Sequence, residues 1–169
     1  TGTDKYTAYR TSAAGGAYNA KVFDIDELVD QFAFGIKKHP LSVKNFLRFA
    51  RNKFTAAPKF AFLIGKAVTY NEYREKENSV YDDQLNLVPT FGWPASDALL
   101  ASNDLSPIPA TPVGRLAAIS SEEVETYLDK IKVYEQKQQS TTQTIEEKAW
   151  MKKMVHVVGA NDIVNSSAL

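Results

Sequence analysis

Four side chains stand where binding chemistry could gather: Asp24, Lys66, Asp97 and Arg115. Lys66 follows Gly65 at the end of an apolar run, which invites a phosphate-loop reading. That motif needs GxxxxGK[ST], because stacked backbone amides make the anion cradle. Position 60 is Phe and position 67 is Ala, so the pattern fails. The chain has two histidines, His39 and His156, and no cysteine. A thiol nucleophile, a Cys-ligated metal and a disulfide are therefore excluded within it. His39 precedes Pro40 at a helix start, where capping is the economical reading, and His156 sits inside the apolar run MVHVVG. Neither histidine has an evident partner for acid–base work. No GxSxG elbow and no HExxH helix occurs. No catalytic residue is assigned on these grounds, and Asp24, Lys66 and Arg115 are read as binding candidates at strand ends, where open α/β sheets collect ligands.

Acidic residues crowd the middle of the chain: Glu72, Glu75, Glu77, Asp82, Asp83, Asp97 and Asp104. Oxygen clusters suit hard cations, so a structural calcium is conceivable, but no EF-hand spacing is present and no metal ligand is assigned. The charge is also segregated. From Gln31 to Asn71 there is no acid, while Lys44, Arg48 and Arg51 share one helix face at i, i+4 and i+7. The simplest account is a solvated face; the functional one is docking to an acidic partner or a neighbouring domain. Residues 90–97, TFGWPASD, put a glycine, a tryptophan and a proline into one loop. It reads as a rigid rim with Trp93 buried, at a cost of about 3–5 kcal/mol for Trp93→Ala, and with Asp97 capping the turn that follows or holding a structural cation.

The elements that must position these groups follow from periodicity. Residues 4–14 read as a helix closed by Gly15 and Gly16. YNAKVF (18–23) reads as a strand ending at Asp24, and Asp26 and Glu27 open a short helix. Pro40 suits the first turn of a helix over 41–54, whose apolar residues Val43, Phe46, Leu47, Ala50 and Phe54 recur at helical spacing. FAFLIG (60–65) is a continuous apolar run, as in a strand covered on both faces. A polar excursion over 66–84, a strand NLVP and a short strand in ATPVGRL (110–116) come next. Ser120 with Glu123 forms a capping box for a helix to about Gln138, with Val124, Tyr127, Leu128, Ile131 and Tyr134 as its stripe. A further helix over 146–153 and a strand at 154–159 close the pattern. Alternating strands and helices predict an α/β fold: three layers, a mostly parallel Rossmann-like or flavodoxin-like sheet from YNAKVF, FAFLIG and TPVGRL, flanked by helices.

The 169 residues fit one domain, or one and a fragment of the next. Twenty basic and 20 acidic residues leave no net field to draw the chain to nucleic acid or a membrane surface. Exposed aromatics interleaved with the basic stripe are not evident, which argues against nucleic acid, and no apolar run nears the roughly 20 residues of a membrane helix. Thr1 reads as an internal starting point, so a missing leader says nothing about destination.

Several stretches together resemble the gingipain-type cysteine peptidases, including the sortase of the type IX secretion system. YDDQLNLVPTFGWPASDALLAS followed by TPVGRLAAISSEEVETYLDKIKVYE is similar to that family's TFGYPxSD loop, its xGRLP-like strand and its SxxEVxxYLxKxxxYE helix. AYNAKVFDIDELVDQFAFGIKKHPLSVKNFL resembles an earlier strand, a DQFAYG turn and the next helix. The likeness runs from about Tyr9 to Gly159, although the family's preceding strand is not matched here, which would leave a sheet edge open. It implies a caspase-like region of two α/β subdomains, with the catalytic His and Cys in the second, in GHG-like and NxC-like stretches. Neither stretch occurs here, so no catalytic residue carries over. The resemblance then implies that 1–153 form the first, non-catalytic subdomain and that 154–169 open a truncated catalytic one. Its partners would be that missing subdomain and a protein or peptide substrate, and its location extracellular or at the cell surface. The competing readings are a stand-alone α/β module for a nucleotide or small anion, and a surface interaction module.

Overall fold

A computed structural model of the chain describes residues 1–76, 79–103, 106–140 and 144–155. The chain divides into two compact units, Thr1–Ile131 and Lys132–Leu169. The element order is α1 (Gly2–Thr11), α2 (Ile25–Phe32), α3 (Leu41–Lys53), β1 (Ala61–Ile64), α4 (Tyr70–Glu75), α5 (Val80–Leu85), α6 (Ala98–Ala101), β2 (Val113–Leu116) and α7 (Ser121–Gln139), then a 3-10 turn at Ala149–Lys152.

The fold is α/β. β1 and β2 pair in parallel, Ala61 opposite Val113 and Ile64 opposite Leu116, so both strands end at the same edge. Among the described residues the sheet has these two strands, fewer than expected. YNAKVF is not a strand. Its aromatics are held by other rings instead: Tyr18 meets Phe60 edge-on at 6.2 Å, and Phe23 lies 4.6 Å from Phe46 and 6.2 Å from Phe54. NLVP is not a strand either, because Leu87 and Val88 both donate to the Lys66 carbonyl rather than to a ladder. The expected strand at 154–159 lies outside the described residues from His156 onward, and Met154 and Val155 are irregular.

Successive strand residues face opposite ways. Phe62 stacks on Tyr6 of α1 at 5.1 Å and on Tyr127 of α7 at 6.0 Å. Ala61 and Leu63 instead pack on the cluster of Val43, Leu47, Leu100 and Ala101 from α3 and α6. Helices thus contact both sides of the short sheet. Polar ties fix them: Asn45 Nδ2 donates to the Phe32 carbonyl at the end of α2, and Gly2 N donates to Ser121 Oγ. Such bonds satisfy groups that a helix end leaves orphaned.

The helix over 121–139 starts as its sequence predicts, with Ser120 Oγ accepting from Glu123 N. The return half of the box shifts by one residue, Glu123 Oε2 accepting from Ile119 N. Val124 and Leu128 are buried, Tyr127 and Ile131 half-buried, and Tyr134 is exposed. In the second unit Tyr134 meets Trp150 edge-on at 5.4 Å. The polar excursion contains α4 and α5, stitched together by Tyr73, whose buried hydroxyl donates to Asp83 Oδ1.

Candidate functional site

The shared carboxyl edge of β1 and β2 is built around one guanidinium. β1 turns away at Gly65 with φ +149°, where a Cβ would meet Val88 at 2.8 Å. This close approach lets residues 87–89 lie over the strand end. Arg115 rises from β2 opposite Leu63 and spends all five of its N–H donors there. Nη1 donates to the Gly65 carbonyl at 2.6 Å and the Val88 carbonyl at 2.7 Å. Nη2 donates to the Pro89 carbonyl at 3.0 Å and to Asp97 Oδ1 at 2.8 Å, and Nε donates to Asp97 Oδ2 at 2.7 Å. The side chains are 12% and 24% exposed, so the fork works largely out of water. Burial alone would raise the Asp97 carboxyl. The hydrogen bonds and charge of Arg115, with a hydrogen bond to Thr90, outweigh it and hold Asp97 below its ordinary range.

Both ends of the TFGWPASD loop are therefore pinned. Its neck is closed by Ser96 N donating to the Phe91 carbonyl at 2.8 Å, and Gly92 takes φ +87°. Phe91 tucks toward the α3–α6 cluster with Lys44 Nζ 5.1 Å from its ring centre. The tip is different. Trp93 is 78% exposed, so the expectation that it is buried is wrong. The rigidity lies in the base of the loop, which presents the indole to solvent. Asp97 does not cap the next helix with its side chain, as expected, because Arg115 has taken both carboxylate oxygens.

Of the four candidates, the fold brings Asp97 and Arg115 together and leaves the others apart. Asp24 is the exposed N-cap of α2, accepting from Asp26 N at 2.8 Å. Lys66 supplies the carbonyl that holds Leu87 and Val88, and its own N–H donates to Ala118. His39 caps: Nδ1 accepts from Leu41 N at 3.1 Å while the ring meets Tyr70 edge-on at 5.1 Å. Burial, with the Arg74 charge behind it, lowers its pKa below 6.5. His156, Glu77 and Asp104 lie outside the described residues. Of the remaining acids Asp83 pairs with Lys37 and Glu72 with Lys76, and among the described residues no three His, Asp or Glu converge as metal ligands. The basic face is also partly spent: Arg51 turns inward to the Ala101 carbonyl, Thr111 Oγ1 and Asn103 Oδ1.

What sequence reasoning missed is the pairing itself. A lone arginine inside a strand, between Gly114 and Leu116, needs a buried acceptor, and Asp97 is the lone acid of the neighbouring loop. A loop whose base is held by backbone and a salt bridge has no need of its tryptophan for packing. The arrangement is a scaffold for a displayed aromatic.

The model of peptidase family C25 matches residues 1–168. The chain belongs to this family, the gingipain family. The match spans nearly the whole chain, so the chain is a gingipain-like cysteine peptidase domain by family. Comparison with curated proteins and with solved structures returns no match. Peptidases of a cysteine family act through a thiolate activated by a base, and this C25 domain holds no thiol.

Proposed function

We propose that residues 1–153 are the first, non-catalytic subdomain of an exported gingipain-type cysteine peptidase, and that residues 154–169 open the catalytic subdomain that follows. The parent enzyme would process secreted proteins at the cell surface, in the manner of a type IX secretion sortase. Its thiol and base come from the second subdomain, and this chain is inactive by itself. The observation that carries the reading is the family match over nearly the full length of a chain with no cysteine.

The role of this half is to frame substrate and support the catalytic half. The carboxyl edge of a parallel sheet is where α/β folds gather ligands, and here that edge presents Trp93 on a pinned loop. The same exposed indole also favours a second reading, a surface interaction module without peptidase activity. Trp93→Ala in the full-length parent separates the two. If the loop serves the peptidase, kcat/KM falls by about tenfold, the scale of losing one aromatic contact, with the melting temperature unchanged. An unaltered kcat/KM would favour the interaction module.

A further inference from the structure

Helix α2 ends in an unusual way. Ala33 is its C-cap, and Phe34 follows in the left-handed region at φ +57°, with Gly35 at φ +71°. Glycine takes such a position freely, whereas a bulky side chain there is a genuine outlier. Phe34 is also 90% exposed. The residue is thus unfavourable on two counts, backbone and solvation. Backbone strain of this kind persists where function uses it.

Phe34 borders a groove of about 440 Å³ between α2 and α3, lined also by Phe32, Phe49, Asn45, Arg48 and Lys53. Its floor is aromatic, Phe32 and Phe49 lying 5.5 Å apart. Its cations stand on α3, and Asn45 Oδ1 accepts from Arg48 Nη2 at 3.2 Å. Among the described residues no carboxylate lines it, and Asp30 of α2 stands beside Gly35. The groove sits within the run from Gln31 to Asn71 that contains no acid at all. Arg51 and Lys44 of the same helix turn to internal partners, and Arg48 and Lys53 line the groove.

We infer that this groove docks an acidic segment of a partner protein, which seats one apolar side chain against Phe34 and Phe49 and aligns its carboxylates with Arg48 and Lys53. A concave apolar strip with cations on one wall selects that chemistry over a flat anionic membrane, which needs a broad basic field, and the chain's net charge is zero. The inference stands apart from the peptidase reading, since neither the loop at the sheet edge nor Arg115 takes part.

Fluorescence anisotropy on the purified chain tests it, with a blocked hexapeptide in which glutamates flank a central phenylalanine. Parallel probes replace the glutamates by lysine or the phenylalanine by serine. The acidic aromatic peptide should bind at least about tenfold more tightly than either, and Phe34→Gly and Lys53→Glu should each weaken it by about tenfold. Phe34→Gly separates binding from folding, because glycine suits φ +57° and the melting temperature should hold or rise. Lys53→Glu provides a second variant on the exposed wall. Equal affinity for the three peptides would overturn the inference, as would unchanged affinity in both variants or a loss of binding matched by a loss of melting temperature. Self-association abolished by Phe34→Gly, or capture by anionic vesicles without peptide binding, would also overturn it.

Discussion

At the scale of single residues, Arg115 does the most for the architecture. Removing it strands the Asp97 carboxylate and three carbonyls that share its donors. Breaking a largely buried pair from one side costs about 3–5 kcal/mol, so Arg115→Met should lower the urea midpoint strongly. Arg115→Lys should rescue little, because an ammonium cannot reproduce the planar fork. Asp97 adds a pH signature. Its carboxyl is held below the ordinary 3.8 in the folded state, so its contribution is present above that value and lost as pH falls through the folded one. The stability gap between wild type and Asp97→Asn should be widest at neutral pH and close below about pH 4. His39 has the opposite charge type and the same direction in pH. Its pKa is held below 6.5, so the unfolded chain takes up this proton first as pH falls, and stability declines below the ordinary value. His39→Asn, whose amide oxygen can still accept from Leu41 N, should flatten the stability profile between about pH 7 and pH 5. Trp93→Ala should move the denaturation midpoint by no more than about 0.5 kcal/mol in stability, as for ordinary surface positions.

At the scale of elements, the site depends on how closely residues 87–89 approach the end of β1. Gly65→Ala would force a Cβ to 2.8 Å from Val88 at a backbone φ of +149°. A cost of about 1–3 kcal/mol follows from overpacking, and the loop, once lifted, should become sensitive to limited proteolysis near Trp93 while the wild type resists. This dependence also explains what could be read in the chain beforehand. Helices α2, α3 and α7 were legible because their apolar spacing and their start signals, Asp26 with Glu27, Pro40 and the Ser120 box, are local properties, whereas the cap that Asp24 supplies to α2 was not read. Strands β1 and β2 were legible as apolar runs ending in Gly65 and after Arg115. YNAKVF and NLVP carry equally good strand patterns, but a strand exists only if another offers its ladder. In YNAKVF the rings of Phe60, Phe46 and Phe54 capture Tyr18 and Phe23; in NLVP the Lys66 carbonyl and the Arg115 guanidinium capture the backbone. Asp97 was read as a cap for the same reason: local geometry allowed it, and a partner 18 residues away outcompeted it. The exposure of Trp93 could not be read from its type, since large aromatics are usually buried and only the tertiary fixing of the loop base frees the tip.

At the scale of the whole molecule, a domain of a cysteine peptidase family carries equal numbers of basic and acidic residues, a parallel sheet edge with a displayed indole, and no thiol. The account holds that this chain shapes a peptidase site whose chemistry is supplied by another subdomain. Loss of a nucleophile costs up to about a million-fold in rate, so hydrolysis by the chain alone should be undetectable. The most direct measurement incubates purified chain with peptide amides ending in Arg, Lys or a small residue, alone and joined to the proposed cysteine-bearing second subdomain. The account predicts silence from the chain alone and turnover from the joined protein. Turnover by the chain alone that survives repurification and disappears in His39→Ala or His156→Ala would contradict it and make this chain a complete enzyme.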